Sequence, residues 1–131
     1  MSIDGTIQHP PYTIPPRELV CFVIAKYLQG GMRAIPLEGI TAQVPALVKQ
    51  PRQFSLPGIT CAELPGRRYQ VPEVEQMIDY LKMEGHVLTY NPTLVTRSGE
   101  RYCSEVVEAF RKKAPDAAKA LASAIGYDLA S

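Results

Sequence analysis

Apolar residues recur with a helical period in four stretches of the chain. Between Pro72 and Glu84, Val74, Met77, Ile78 and Leu81 fall at i, i+3, i+4 and i+7, the stripe of an amphipathic helix. Pro72 suits the first helical position, where a missing N–H costs no hydrogen bond. Gly85 suits the left-handed residue that ends a helix. From Arg17 to Gln29, Val20, Val23, Ile24, Tyr27 and Leu28 share a face that Cys21 and Phe22 widen. A helix apolar nearly all round is buried on several sides, and Gly30-Gly31 stops it. In the last third, Arg101 to Lys113 carries Tyr102, Cys103, Val106, Val107 and Phe110 on one face. A further helix starts at Pro115, with Asp116 near its positive N-terminal end. Ala118, Leu121, Ala122 and Ile125 form its stripe, and Gly126 ends it.

Elsewhere the pattern changes. His86-Val87-Leu88-Thr89-Tyr90 alternates as a strand does, Asn91-Pro92-Thr93 reads as a turn, and Leu94 to Arg97 reads as a return strand, after which Ser98 opens a helix. Ala62-Glu63-Leu64 offers a short helix, and Tyr69-Gln70-Val71 a tight turn into the helix at Pro72. An interior proline costs about 3 kcal/mol in a helix, so Pro65 either cuts that short helix or restarts it. Between Met32 and Gly58, Pro36, Pro45, Pro51 and Pro57 break the chain, leaving room for a short helix over Val44 to Gln50 with Val44, Leu47 and Val48 inward. Pro10, Pro11, Pro15 and Pro16 make the first sixteen residues an extended arm. The arm is either a tether over the domain or a segment that contacts a partner.

Together these elements predict a mainly α chain with a small β-hairpin. A single domain spans residues 17–131 after a Pro-rich arm at 1–16, with an insertion near 32–58 and C-terminal helices near 99–126. The 131 residues suffice for one sizeable core. The hydrophobic share of 46% and charged share of 21% are those of an ordinary globular protein. A net charge of +1 gives no bulk attraction to nucleic acid or membrane. No run of eighteen apolar residues predicts a spanning helix, and Met1 to Pro11 has no apolar core of a secretory signal. Cys21, Cys61 and Cys103 are isolated and odd in number, which points to reduced thiols and a cytoplasmic setting.

The order of fragments from Ile59 to Tyr102 resembles winged helix-turn-helix regulators of the MarR and PadR type. The fragments are Ile59-Thr60, Ala62-Glu63-Leu64, Val71-Pro72, Val74, Ile78, Leu81, Glu84-Gly85, Val87 and Leu94-Val95-Thr96. In those proteins the phrase before the wing is similar to Leu81 to Val87. The wing's return strand, running into the C-terminal helix, is similar to Leu94 to Gly99. The resemblance covers about a third of the chain. It implies a winged helix-turn-helix fold with extra C-terminal helices, a recognition helix near 72–84 and a wing near 86–97. It also implies double-stranded DNA as partner and C-terminal helices that pair two subunits. The small residues from Ala117 to Ala124 permit such close approach, but the same helix can equally close the monomer's own core.

The candidate chemistry is that of binding. His9 and His86 lie far apart, no His-Cys or His-Glu spacing suits a metal, and no glycine-rich phosphate loop is present. No catalytic site, metal or cofactor is therefore expected. Cationic Arg67 and Arg68 lie at the entry to the recognition helix, and Arg97 and Arg101 flank the wing, where a duplex backbone would meet them. Gln70 and Gln76 can read adenine edges. Glu73, Gln76 and Asp79, with Glu75 beside them, lie on or next to the outward face. Three carboxylates there oppose phosphate. Two readings follow: a transcription regulator that binds DNA, or a winged-helix interaction subunit whose acidic helix, with Tyr80 and Met83, meets a protein. The positions of the arginines favour the first.

Overall fold

The structure, a computed structural model, describes residues 9–66 and 68–129. Helices dominate it, with short strands between them. In chain order they are β1 (Tyr12–Thr13), α1 (Pro16–Gln29), β2 (Ala34–Ile35), α2 (Leu37–Thr41), α3 (Val44–Val48), β3 (Phe54–Ser55), β4 (Ala62–Leu64), β5 (Arg68–Gln70), α4 (Pro72–Met83), β6 (Thr93–Leu94), α5 (Arg97–Lys113) and α6 (Pro115–Ile125). The mainly α expectation holds at this level.

The first helix forms the centre because it is apolar on nearly every side. Leu19 to Ile24 are all buried, and α1 packs against α2, α4, α5 and α6. Phe22 meets Phe110 of α5 edge-on at 5.8 Å and Tyr127 at 6.0 Å, a favoured geometry for aromatic pairs. Cys21 and Cys103 are both buried in this core and Cys61 is half-buried, all as free thiols. The adjacent Cys103 thiol and burial push the Cys21 thiol well above its ordinary pKa, so it behaves as a small core residue.

Strand β6 lies beside β2 in antiparallel register, Ala34 opposite Leu94 and Ile35 opposite Thr93. On its other side Val95 makes an antiparallel bridge to Val87. Residues 93–95 therefore sit between the segment after α1 and the segment after α4. Only Val87 of the expected 86–90 strand pairs, because the turn closes quickly through Leu88 N to Leu94 O at 2.8 Å.

The insertion near 32–58 supplies core. Ile35, Ile40, Val44, Leu47 and Phe54 are buried there. The short helix is α3, and Val48, expected inward, points to solvent. The arm is sewn to this region: β1 pairs with β3 in parallel, Tyr12 opposite Phe54, and Ile14 is fully buried. The described end of the arm thus lies over the domain.

Two expectations fail between α3 and α4. Ala62-Glu63-Leu64 is not helical but strand β4, and Tyr69-Gln70 belongs to strand β5 rather than to a turn. The two strands pair antiparallel, with Leu64 opposite Arg68. Pro65-Gly66 explains this, since Pro disfavours helix and Gly66 adopts a left-handed φ of 80° that a reversal requires.

At the C-terminal side, α5 begins at Arg97, one residue before the expected opening at Ser98, and Thr96 caps it: Thr96 Oγ1 accepts from Gly99 N at 3.0 Å. The stripe Ala118, Leu121, Ala122 and Ile125 is buried within the chain, against α1 and α5. No helix among the described residues is long and apolar enough to cross a membrane.

Candidate nucleic-acid interface

Helix α4 follows its sequence pattern. Val74, Ile78 and Leu81 are fully buried, Met77 is half-buried, and Gly85 ends the helix with a φ of 77°. The opposite face carries Gln76, Asp79, Tyr80 and Met83, all exposed. It is a polar and soft-apolar surface with no covering element among the described residues.

Its carboxylates are less free than the sequence suggests. Glu73 turns aside to the loop before β4, accepting from Thr60 N at 2.8 Å and Thr60 Oγ1 at 3.1 Å. The Thr60 backbone N–H holds this carboxyl below its ordinary pKa. Glu75 turns to the hairpin turn, where Tyr90 donates its hydroxyl to Oε1 at 2.8 Å. Burial and the facing carboxylate push the Tyr90 phenol well above its ordinary pKa. Of the three acids, Asp79 alone has no side-chain hydrogen bond among the described residues.

The turn is fixed by its own contacts. Thr89 Oγ1 donates to Pro92 O at 2.6 Å, and Thr93 Oγ1 donates to Tyr90 O at 2.8 Å. Asn91 Oδ1 accepts from Leu37 N, the first residue of α2, at 3.2 Å. Neither of these contacts carried a sequence signal, because the partners lie fifteen and fifty-four residues away.

The arginines divide between two places. Arg68 and Gln70 stand exposed on β5, immediately before α4, and Arg68 Nε contacts Pro65 O at 3.4 Å. Arg67 lies outside the described residues. Arg68 and Gln70 share a groove of about 240 Å³ with Glu38 of α2, Glu75 of α4 and Asn91 of the turn. Arg97 and Arg101 are not in the hairpin but open α5, both exposed. Ion pairs among the described residues are Arg17–Glu18, Arg33–Glu100 and Glu108–Arg111. Arg68, Arg97 and Arg101 form none within that set, so their charges face solvent.

Among the described residues no three His, Cys, Asp or Glu side chains converge as metal ligands would. The surface can accept hydrogen bonds, donate them from amides and arginines, and meet an anionic backbone at both ends of α4. No known family profile, curated protein or solved structure matches this chain.

Proposed function

We propose that this chain is a small DNA-binding regulator of the winged helix-turn-helix type, with α4 as the recognition helix and residues 87–95 as a short wing. One observation carries the reading: residues 93–95 lie between Ala34-Ile35 and Val87, directly after a helix whose outward face is uncovered. With α3, β3 and the β4–β5 hairpin inserted between α2 and α4, the chain runs α1, β2, α2, α4 and then the turn returning to residues 93–95, which is compatible with a winged helix carrying an insertion. In this reading Gln76 and Asp79 face base edges in the major groove, and Gln70 reaches the groove at the helix entry. Arg68, Arg97 and Arg101 meet phosphates. Engagement of Glu73 by Thr60 and of Glu75 by Tyr90 draws both carboxylates away from the duplex, which eases the electrostatic objection to α4.

A second reading has its own support. Met83 is 84% exposed, Leu88 61% and Tyr80 45%, and exposed aromatic and Met side chains suit a protein partner. Selection from a pool of random duplexes at two salt concentrations separates the two. The regulator reading expects one enriched motif. Retention without an enriched sequence, vanishing as salt rises, is nonspecific attraction and refutes it. On the regulator reading, Arg68→Ala weakens binding across all sequences and flattens the salt dependence.

A further inference from the structure

The outward face of α4 has two flanks. Glu75 and Tyr80 are five residues apart, which puts them about 140° apart around the helix axis. Glu75 faces the wing turn through Tyr90. Tyr80 lies on the other side of the helix, within electrostatic reach of Tyr102 of α5. That second flank is where the start of α1, residue 86 and the first turns of α5 meet.

The flank is built around fixed donors. Glu18 is buried, and its Oε2 accepts from both Nε of Arg17 at 3.1 Å and Nη2 at 2.7 Å. This holds the guanidinium in place while its remaining N–H groups face solvent, the side chain being 57% exposed. His86 stacks on Tyr102 with ring centroids 4.5 Å apart and planes at 17°. Its Nδ1 lies 2.6 Å from Ser98 Oγ. Stacking fixes the ring plane and the Ser98 contact fixes its edge. With the Ser98 hydroxyl donating to Nδ1, Nε2 carries the hydrogen and has no partner among the described residues. Tyr102 lies in the field of both Arg17 and Tyr80. A cation, an imidazole edge and two hydroxyls are therefore joined to the outward face of α4.

A helix in a major groove has a phosphate wall on each side. The wing flank here carries Arg68 beside Glu75, whose carboxylate is held by Tyr90. The α1–α5 flank carries Arg17 and His86. We propose that Arg17, His86, Ser98 and Tyr102 form a phosphate-binding flank that grips the sugar–phosphate backbone of a duplex beside α4, opposite the wing turn. This rests on the DNA-binding reading and adds residues to it. Arginine suits the role because its planar fork matches phosphate oxygens. Its prior fixation by Glu18 reduces the ordering cost of binding.

The test uses the full chain, duplexes from the selection, and the variants Arg17→Ala and His86→Gln. Each variant should bind about tenfold more weakly across all sequences, with unchanged motif preference. The slope of log affinity against log salt should flatten by roughly 0.9 for Arg17→Ala, which removes a cation, and stay unchanged for His86→Gln, which removes an uncharged donor. Lys119→Ala, exposed on α6, should bind as the wild type does. If Arg17→Ala unfolds because Glu18 is left without its ion pair, His86→Gln carries the test. Wild-type binding with the same salt slope in the folded variants overturns the flank and leaves the DNA reading standing. No duplex binding by the wild type overturns both. Inorganic phosphate is run in parallel. If it shifts the His86 and Ser98 amide resonances while the variants keep full duplex affinity, the site takes a small phosphate ligand and the backbone assignment fails.

Discussion

Replacing Gly99 by alanine tests how closely α5 sits on the chain after α4. A Cβ at Gly99 would stand 1.9 Å from His86 O, 2.8 Å from its carbonyl carbon and 3.1 Å from Val95 Cγ1. Close-packed carbon and oxygen do not approach within about 3 Å, so α5 must back away from this carbonyl by roughly 1 Å. The same carbonyl accepts from Thr96 N and Thr96 Oγ1, both at 3.0 Å, so the movement loosens the N-cap as well. Overpacking costs about 1–3 kcal/mol, and a clash between two backbone segments belongs at the upper end. Alanine's better helix propensity returns roughly 1 kcal/mol. The net destabilisation is therefore about 2 kcal/mol. For a chain of this size that is a fall in Tm of roughly 6–10 °C. Urea titration followed by far-UV circular dichroism and by tyrosine fluorescence measures it, since the chain has no tryptophan. Glu105→Ala, exposed on the same helix, should stay within about 0.5 kcal/mol of wild type. A Gly99→Ala protein as stable as wild type, or more so, would show that propensity wins and that α5 does not rest on residue 86.

Three further outcomes are expected. Ile78→Ala removes a fully buried side chain between α4 and the core and should cost about 2–5 kcal/mol in urea unfolding; a loss well under 1 kcal/mol would mean α4 is not packed there. Tyr90 keeps its proton more tightly folded than unfolded, so its contribution is fully present below the unfolded phenol's pKa, about 10, and is lost as pH rises through that value toward the folded one. Urea midpoints should fall more steeply above that pH for wild type than for Tyr90→Phe, and identical slopes would refute the link to Glu75. Glu73 has the opposite sign: its folded pKa is lowered, so its contribution is present above the unfolded value and fades as pH falls through the folded one. Glu73→Gln should therefore blunt the acid dependence of stability, by a small amount because the carboxylate is solvent-screened; an unchanged acid limb would sever that contact.

The longer helices α1, α4, α5 and α6 were legible because each is defined by local pattern, whereas the five-residue α2 was not. Val74, Ile78 and Leu81 recur at helical spacing whatever surrounds them, and Gly85 and Gly126 adopt the left-handed conformation expected of helix stops. The all-round apolarity of residues 19–24 likewise announced a central helix. The failures lie where local signals are weak or compete. Ala62-Glu63-Leu64 suits a helix by composition, but Pro65-Gly66 and pairing with Arg68 to Gln70 make it a strand. Such pairing depends on a partner segment rather than on the residues themselves.

The site divides the same way. Sequence alone determined which residues of α4 face outward, since a helix period assigns faces without knowledge of neighbours, and that Arg68, Arg97 and Arg101 are cationic candidates near its ends. Only the tertiary structure decided that Glu73 and Glu75 are engaged by Thr60 and Tyr90. It also moved Arg97 from the hairpin to the start of α5 and gathered Arg17, His86, Ser98 and Tyr102 on one flank. Those contacts join residues distant in the chain, and their geometry is set by how helices pack on α1. A single sequence carries the period of each helix, but not the distances between side chains that packing brings together.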